Sequence, residues 1–420
     1  MKTLFVTTAA IGLMAGSTAM AVEKSDVVAT YADIAAAKYG DSLITAQRLQ
    51  AAVEALVAEP SAENLQAAKS AWLAARVPYQ QTEVFRFGNA VVDDWEGKVN
   101  AWPLDEGLID YVDAAYGGPT DDNPLAVLNV VANPSLEISG GTVDASAITP
   151  ELIGETLHEA DGIESNVASG YHAIEFLLWG QDLNGHGTGA GSRPWTDYAT
   201  GDDCTNANCD RRGAYLAAAT DLLISDLEWM AAQWAQGGAA RAAVTENSDA
   251  GIVAMLTGMG SLSYGEQAGE RMRLGLMLND PEEEHDCFSD NTHNSHYFDG
   301  LGIQNVYLGE YVRVNGELVS GASLSDLVAA TDAALDAEMR AKLDATMAAL
   351  ARIKVAAEAG FAYDQMLERG NAGGEMLIMG GVNGLIDQTR SIERVVAALG
   401  LDGIAVEGSD SLDNPGEVFK

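Results

Sequence analysis

The sequence predicts an all-α protein, two helical-bundle domains with long irregular loops, and three observations carry that prediction. Alanine and leucine recur at steps of three and four over long stretches. The alternating pattern of a half-buried strand is almost absent. The interruptions are long and rich in Gly, Pro, Asn and Asp, and so read as loops.

The first element is an export signal. Lys2 supplies a positive start, an apolar stretch runs from Leu4 to Met14, and Ala19-Met20-Ala21 fits the small-x-small cleavage rule. This predicts a signal peptide over residues 1–21, cleavage after Ala21 and a periplasmic protein, a location compatible with outer-membrane association. The apolar stretch is shorter than the roughly 20 residues a membrane-spanning helix needs. No cysteine stands at the cleavage point to carry a lipid, and no later segment reads as a membrane span.

The helices follow in order. Ser61 is an N-cap, and Leu65, Ala68, Trp72, Ala75 and Tyr79 form one helical face behind it. Thr149-Pro150-Glu151 starts a helix with proline in the first turn. Leu216, Leu223, Leu227, Met230 and Trp234 form a third stripe. Leu335, Met339, Leu343, Met347 and Leu350 form a fourth, preceded by a cap at Ser323 or Ser325. Leu385, Ile392, Val396 and Leu399 form a fifth, ended by Gly400. Such stripes are the core faces of bundle helices. Residues 115–148, 181–212 and 279–302 read as irregular. The second of these is the expected domain boundary, dividing an N-terminal bundle over 22–203 from a C-terminal bundle over 204–420.

Sixty-two acidic residues face 23 basic ones, a formal net charge of −39. Such a field repels nucleic acid and anionic lipid and concentrates cations. Most of these carboxylates are a solvated surface. Of the three cysteines, Cys204 and Cys209 flank Thr-Asn-Ala-Asn and are expected to pair after export, leaving Cys287 free and partly buried. A thiolate metal site would need paired CxxC motifs, which are missing.

The sharpest motif is Gly170-Tyr171-His172-Ala173-Ile174-Glu175, followed by Phe176-Leu177-Leu178-Trp179-Gly180. His172 and Glu175 share a helical face and can converge on one ion. Imidazole with carboxylate suits iron, zinc or manganese. The same two residues can also satisfy each other in an apolar core, and spacing alone favours that reading. A carboxylate among such neighbours needs a cation, either a metal or Arg86. A metal needs more than two ligands.

Two further constellations can supply them. Glu282 to His296 contains three of the six histidines but fixes no ligand geometry. Glu83 and Arg86, three apart among aromatics, are either a half-buried ion pair or a ligand with its supporting donor. The expected site lies between the domains, where His172 and Glu175 face Glu83 and the Ser289, Asp290, His293 segment. The zinc signature H-E-x-x-H fails because Gly162 follows His158-Glu159 at the second histidine position, and H-x-x-E-H fails because Phe176 follows Glu175. No phosphate-binding loop, dinucleotide fingerprint or haem-attachment motif occurs.

Taken together, Ala71-Trp72 through Phe85-Arg86-Phe87-Gly88, the motif from Gly170 through Asp182, the cysteine loop with Arg211-Arg212, and the stretch from His285 to His293 resemble the imelysin-like family. That family is also called insulin-cleaving-metalloprotease-like, and the likeness is to its iron-regulated protein A branch. The resemblance implies two helical bundles with Gly170, His172 and Glu175 near their interface. It also implies that early-helix acids join the pair, with Glu83 a close match and Asp105 a looser one. It further implies metal binding linked to iron uptake, with an iron ion or iron chelate as ligand, zinc as the other candidate metal, and an envelope iron-transport component as partner. Three functions compete: an iron-acquisition metal binder, a zinc-type metallopeptidase, and a helical interaction module without metal. Metal content separates the first two from the third. Chelator-sensitive peptide cleavage separates the second from the first.

Overall fold

Residues 22–120 and 123–419 are described by a computed structural model. The expected signal peptide, residues 1–21, lies outside the described residues. The chain is all-α. Its helices are α1 (Lys24–Ala58), α2 (Ala62–Gln80), α3 (Ala90–Asn100), α4 (Glu106–Ile109), α5 (Gly170–Trp179), α6 (Cys209–Trp234), α7 (Ala239–Thr245) and α8 (Ser248–Ser261). There follow a π-helical segment Leu262–Arg273, α9 (Leu274–Leu278), α10 (Thr292–Leu308), α11 (Leu324–Thr331), α12 (Ala333–Glu358), α13 (Tyr363–Leu367), α14 (Ala372–Ala398) and α15 (Asp410–Asp413). Two short antiparallel hairpins interrupt them, Ser135–Ile138 with Gly141–Asp144 and Glu310–Val312 with Leu318–Ser320.

Local signals act as their chemistry requires. Ser61 Oγ accepts from Asn64 N at 3.1 Å and starts α2. Thr149 Oγ1 accepts from Leu152 N at 3.2 Å, and the turn it opens continues as a short π-helix, Leu152–Leu157. Ser323 caps α11 in a reciprocal box with Asp326, whereas Asp332 caps α12. The stretch 279–302, expected to be irregular throughout, turns helical at Thr292 because α10 buries Ser295, His296, Asp299 and Ile303 against its neighbours. Polar composition alone hides a helix whose buried face is itself polar.

Helices α1, α2 and α6 pack on one another around Tyr31, Tyr39, Phe85 and Trp234, with Tyr39 stacked on Trp234 at 6.3 Å. Helix α12 packs on α10 and α14, and both of these pack on the π-helical segment. The expected boundary at residues 203/204 falls just before α6, yet α6 packs against α1 and α5. Cys204 and Cys209 form a disulfide with Cα atoms 6.0 Å apart, and Cys287 is free and buried. The loop is also tied inward by Arg212, which donates to Asp110 Oδ2 at 2.6 Å and Oδ1 at 3.0 Å. Beside it, Arg193 donates to Asp110 at 2.9 Å and Asp197 at 3.1 Å. No helix among the described residues is long and apolar enough to cross a membrane.

Because the disulfide closes so short a loop, its removal relaxes little chain entropy. The Cys204→Ser/Cys209→Ser variant is expected to lose about 2 kcal/mol or less in urea unfolding. A loss well above that would mean the loop staples the global fold.

Candidate metal centre

Helix α5 is buried along its whole length, and its first residue explains how it is placed. Gly170 adopts φ +81°, and a Cβ there would stand 2.4 Å from the Val99 carbonyl oxygen. Only glycine lets the start of α5 approach the end of α3 so closely. Ser169 Oγ secures the junction by donating to Lys98 O at 2.9 Å. From α2, Trp72 Nε1 donates to Tyr171 O at 2.9 Å. The aim of His172 is thus set by three helices.

His172 Nδ1 lies 3.0 Å from Glu175 Oε2, while its Nε2 is buried without a partner. Glu175 Oε1 accepts from Ser289 N at 3.0 Å and from Ser289 Oγ at 2.6 Å. The loop that carries Ser289 also brings His285 and Asp286. One potential ligand atom from each of His172, His285 and Asp286 lies within 4.8 Å of the others, and all three residues are buried. Asp286 Oδ1 is 4.0 Å from His172 Nδ1 and 3.6 Å from His285 Nδ1. The rings of His172 and His285 meet edge to face at 4.8 Å, and Trp102 packs on His172 at 4.9 Å.

The electrostatic centre is Arg76. Its Nη2 donates to Asp286 Oδ1 at 2.8 Å, with both side chains almost wholly buried. Its Nη1 donates to Asn100 Oδ1 at 2.6 Å. Asp286 Oδ2 accepts from Asn291 Nδ2 at 2.7 Å and Ser295 Oγ at 2.6 Å. Burial opposes the charge of Asp286, but Arg76 and these hydrogen bonds hold its carboxyl below the usual range. Glu175 goes the other way: burial, then the Asp286 charge, push it well above the usual carboxylate value. Burial and Arg76 push His172 well below an ordinary histidine, and burial with Arg271 does the same to His285. The cluster therefore presents one carboxylate and two neutral imidazoles, a donor set suited to a borderline transition-metal ion. Glu175 sits behind the His172 ring through its contact with Nδ1. Glu175 then orients the ring, as carboxylates do behind metal-bound histidines.

The predicted residues divide. His172, Glu175 and Ser289 meet here; Glu175 sits behind His172 and outside the three-residue cluster. Glu83 does not join: its Oε2 accepts from Arg271 at 2.6 Å. Arg86 is not the counter-charge of Glu175: it bonds Asp93 at 2.9 Å and lies 3.5 Å from Glu96. Both are displaced because the turn Glu83–Phe85 follows α2 and faces Arg271, one helical turn or more beyond Arg76. Asp105 does not join either: its Oδ1 caps α4 through Leu108 N at 3.3 Å and accepts from Tyr116 Oη at 3.3 Å. Asp290, at φ +55°, and His293, whose Nε2 lies 3.0 Å from Asn294 Nδ2, stand outside the cluster, because α10 begins at Thr292 and carries that register elsewhere. Sequence reasoning missed Arg76, His285 and Asp286. The signal for Arg76 was its place on the apolar stripe, four residues after Trp72 and three before Tyr79. A cation on a core face demands a buried anion.

Breaking the buried pair leaves Asp286 uncompensated. Arg76→Met is expected to cost about 3–5 kcal/mol in urea unfolding, and Arg76→Met/Asp286→Asn to recover part of it. Additive losses in the double variant would count against the pairing.

Next to Asp105, Glu106 carries a pH-dependent term. Burial, then the charge of Glu282, raise its carboxyl from 4.5 to about 8. A raised acid binds its proton more tightly when folded, so its contribution is full at low pH and is lost as pH rises from 4.5 to about 8. Across that window the slope is about 1.4 kcal/mol per pH unit. Glu106→Gln should flatten the stability profile between those limits in chelator-treated protein. Parallel profiles for parent and variant would refute it.

With this geometry in hand, similarity to known proteins becomes informative. The family model described as imelysin, which carries a peptidase designation, matches residues 35–392. A 79-residue stretch is 37% identical to iron-regulated protein A of Synechococcus elongatus, covering 19% of this chain and 20% of that protein. The matched stretch thus spans about a fifth of that relative. The fold is similar to a crystal structure from Parabacteroides distasonis described as an iron-regulated protein A precursor, with TM-score 0.61 and 19% identity over 91% of this chain and 97% of that one. It is also similar to an imelysin-like protein from Psychrobacter arcticum, with TM-score 0.56 and 16% identity over 91% of this chain and 98% of that one. At those identities the two structures speak for the fold, and the family match covers most of the sequence: the chain belongs to the imelysin family.

Proposed function

We propose that this protein is an exported metal-binding protein of iron acquisition, holding its metal between His172, His285 and Asp286. One observation carries the reading: His172, His285 and Asp286 each bring a potential ligand atom within 4.8 Å of the others in the interior, and His172 Nε2 has no hydrogen-bond partner. A buried polar atom without a partner is costly, and a cation would satisfy it. Iron is favoured over zinc by the names of two similar proteins, both described as iron-regulated protein A. Export and a periplasmic location are favoured by the N-terminal pattern ending at Ala21 and by the description of one relative as a precursor. The ligand is the metal ion or a chelate of it, and an envelope iron-transport component is the partner this reading implies.

Peptide hydrolysis is the less supported alternative, despite the family's designation. A hydrolase needs a free base beside its metal-bound water. Here Glu175 has one oxygen taken by Ser289 and the other by His172.

Purified protein stripped with chelator should bind close to one equivalent of iron by elemental analysis, and binding should raise stability by about 2.7 kcal/mol at a hundred times Kd. His172→Ala and His285→Ala should each weaken binding at least about 10-fold, a lower bound taken from losses seen when supporting groups are removed. Their circular dichroism should stay helical. Retained affinity in both variants would make the cluster structural. Chelator-sensitive cleavage of a peptide, lost in Glu175→Gln, would favour the peptidase.

A further inference from the structure

The centre is buried, so a metal must reach it along some path. A cleft of about 410 Å³ opens beside it, with His285 and Trp102 among its lining residues. The Trp102 ring separates the cleft from His172, against which it packs at 4.9 Å. His172 is fully buried, and its Nε2 has no hydrogen-bond partner.

The charge of the cleft is lopsided. Glu159, Glu164 and Glu270 are exposed on its rim, while Glu96, Glu266 and Glu283 lie deeper. Its two arginines are already engaged. Arg86 is bound by Asp93 and Glu96, and Arg271 by Glu83, Glu266 and Asp299. No lysine lines the cleft. The whole chain adds a long-range field of net charge −39. A cleft of this volume is large enough for a small chelate, so charge and not size does the selecting.

We propose, on the footing that the His172, His285 and Asp286 cluster holds a metal, that this cleft is its entry route and admits the aquated divalent cation in preference to an anionic chelate. Glu159, Glu164 and Glu270 raise the local cation concentration at the rim. From the rim the ion moves inward to His285, which lines the cleft and belongs to the cluster, and Trp102 shields the final position from solvent.

The test compares ferrous ion, in anaerobic buffer, with ferric citrate. Loading is followed by stopped-flow tryptophan emission, and final stoichiometry by elemental analysis. At about 20 mM salt, Glu159→Gln/Glu164→Gln/Glu270→Gln should slow ferrous association roughly 5- to 10-fold, with the gap shrinking as salt screens the rim. Final stoichiometry should be unchanged. Ferric citrate should load at least about 10-fold more slowly than ferrous ion in the parent and faster in the variant, because repulsion is relieved. Ferric citrate loading as fast as ferrous ion, or a triple variant with the parent's association rate and salt dependence, would overturn the entry proposal while leaving the metal centre standing. Failure of both probes to reach stoichiometric loading would instead overturn the metal-binding function, and the entry route with it.

Discussion

The buried Arg76–Asp286 pair is the interaction on which the rest of the site depends. Arg76 stands on α2, Asp286 in the loop before α10, and their contact at 2.8 Å joins segments 210 residues apart. Neither charge reaches water, so each is tolerable only because the other is there. The pair also sets the protonation of its surroundings. Arg76 keeps Asp286 ionised and works against protonation of His172, while the Asp286 charge works against ionisation of Glu175. Burial, helped by Arg76 at His172 and by Arg271 at His285, disfavours protonation of the imidazoles, and the neutral form is the one that can bind a cation.

Arginine is scarce in this acidic chain, and where the few arginines go is informative. Arg76 reaches Glu96 through Asn100, Arg86 links Glu96 to Glu266, and Arg271 links Glu266 to Glu83 and Asp299. Buried carboxylates are therefore strung along a network of guanidinium groups that runs from the cluster to the floor of the cleft. Arg193 and Arg212 do the same service for Asp110 and Asp197 under the disulfide loop. In both places a planar fork with several donors holds more than one carboxylate, which an ammonium would do less well. The residual negative charge falls on the rim, where solvent tolerates it and a cation would meet it first.

The centre is supported well beyond its three candidate ligands. Gly170 lets α5 lie against α3, Ser289 holds Glu175, Glu175 holds the His172 ring, and Asn291 with Ser295 holds Asp286. Such outer contacts fix ring orientation and ligand basicity, and they make the site a property of the packed fold. They also explain why carboxylates that look available in the chain are not. Glu83 and Asp105 are as buried as the ligands, but each already answers to another donor, Arg271 in one case and the α4 backbone in the other.

The sequence by itself determined the all-α fold, because helical periodicity is a local property repeated along the core faces of α2, α6, α12 and α14. It determined the Cys204–Cys209 staple, two cysteines separated by a turn. It singled out His172 and Glu175, whose three-residue spacing on one helix face needs no tertiary information. It also marked the loop holding His285 and Asp286, naming Ser289, Asp290 and His293 from it. Only the tertiary structure decided which residues of that loop point inward, because that depends on the buried group lying opposite, Arg76 in the case of Asp286. Only the tertiary structure showed that Arg76, inside α2, faces the buried Asp286, whereas Arg86, beyond the end of α2, faces Asp93 and Glu96. Composition reports that the segment before α6 is irregular, but only the tertiary structure shows α6 packed against α1 and α5. Periodicity and spacing are written in the chain; which buried charges face each other is decided when distant helices meet.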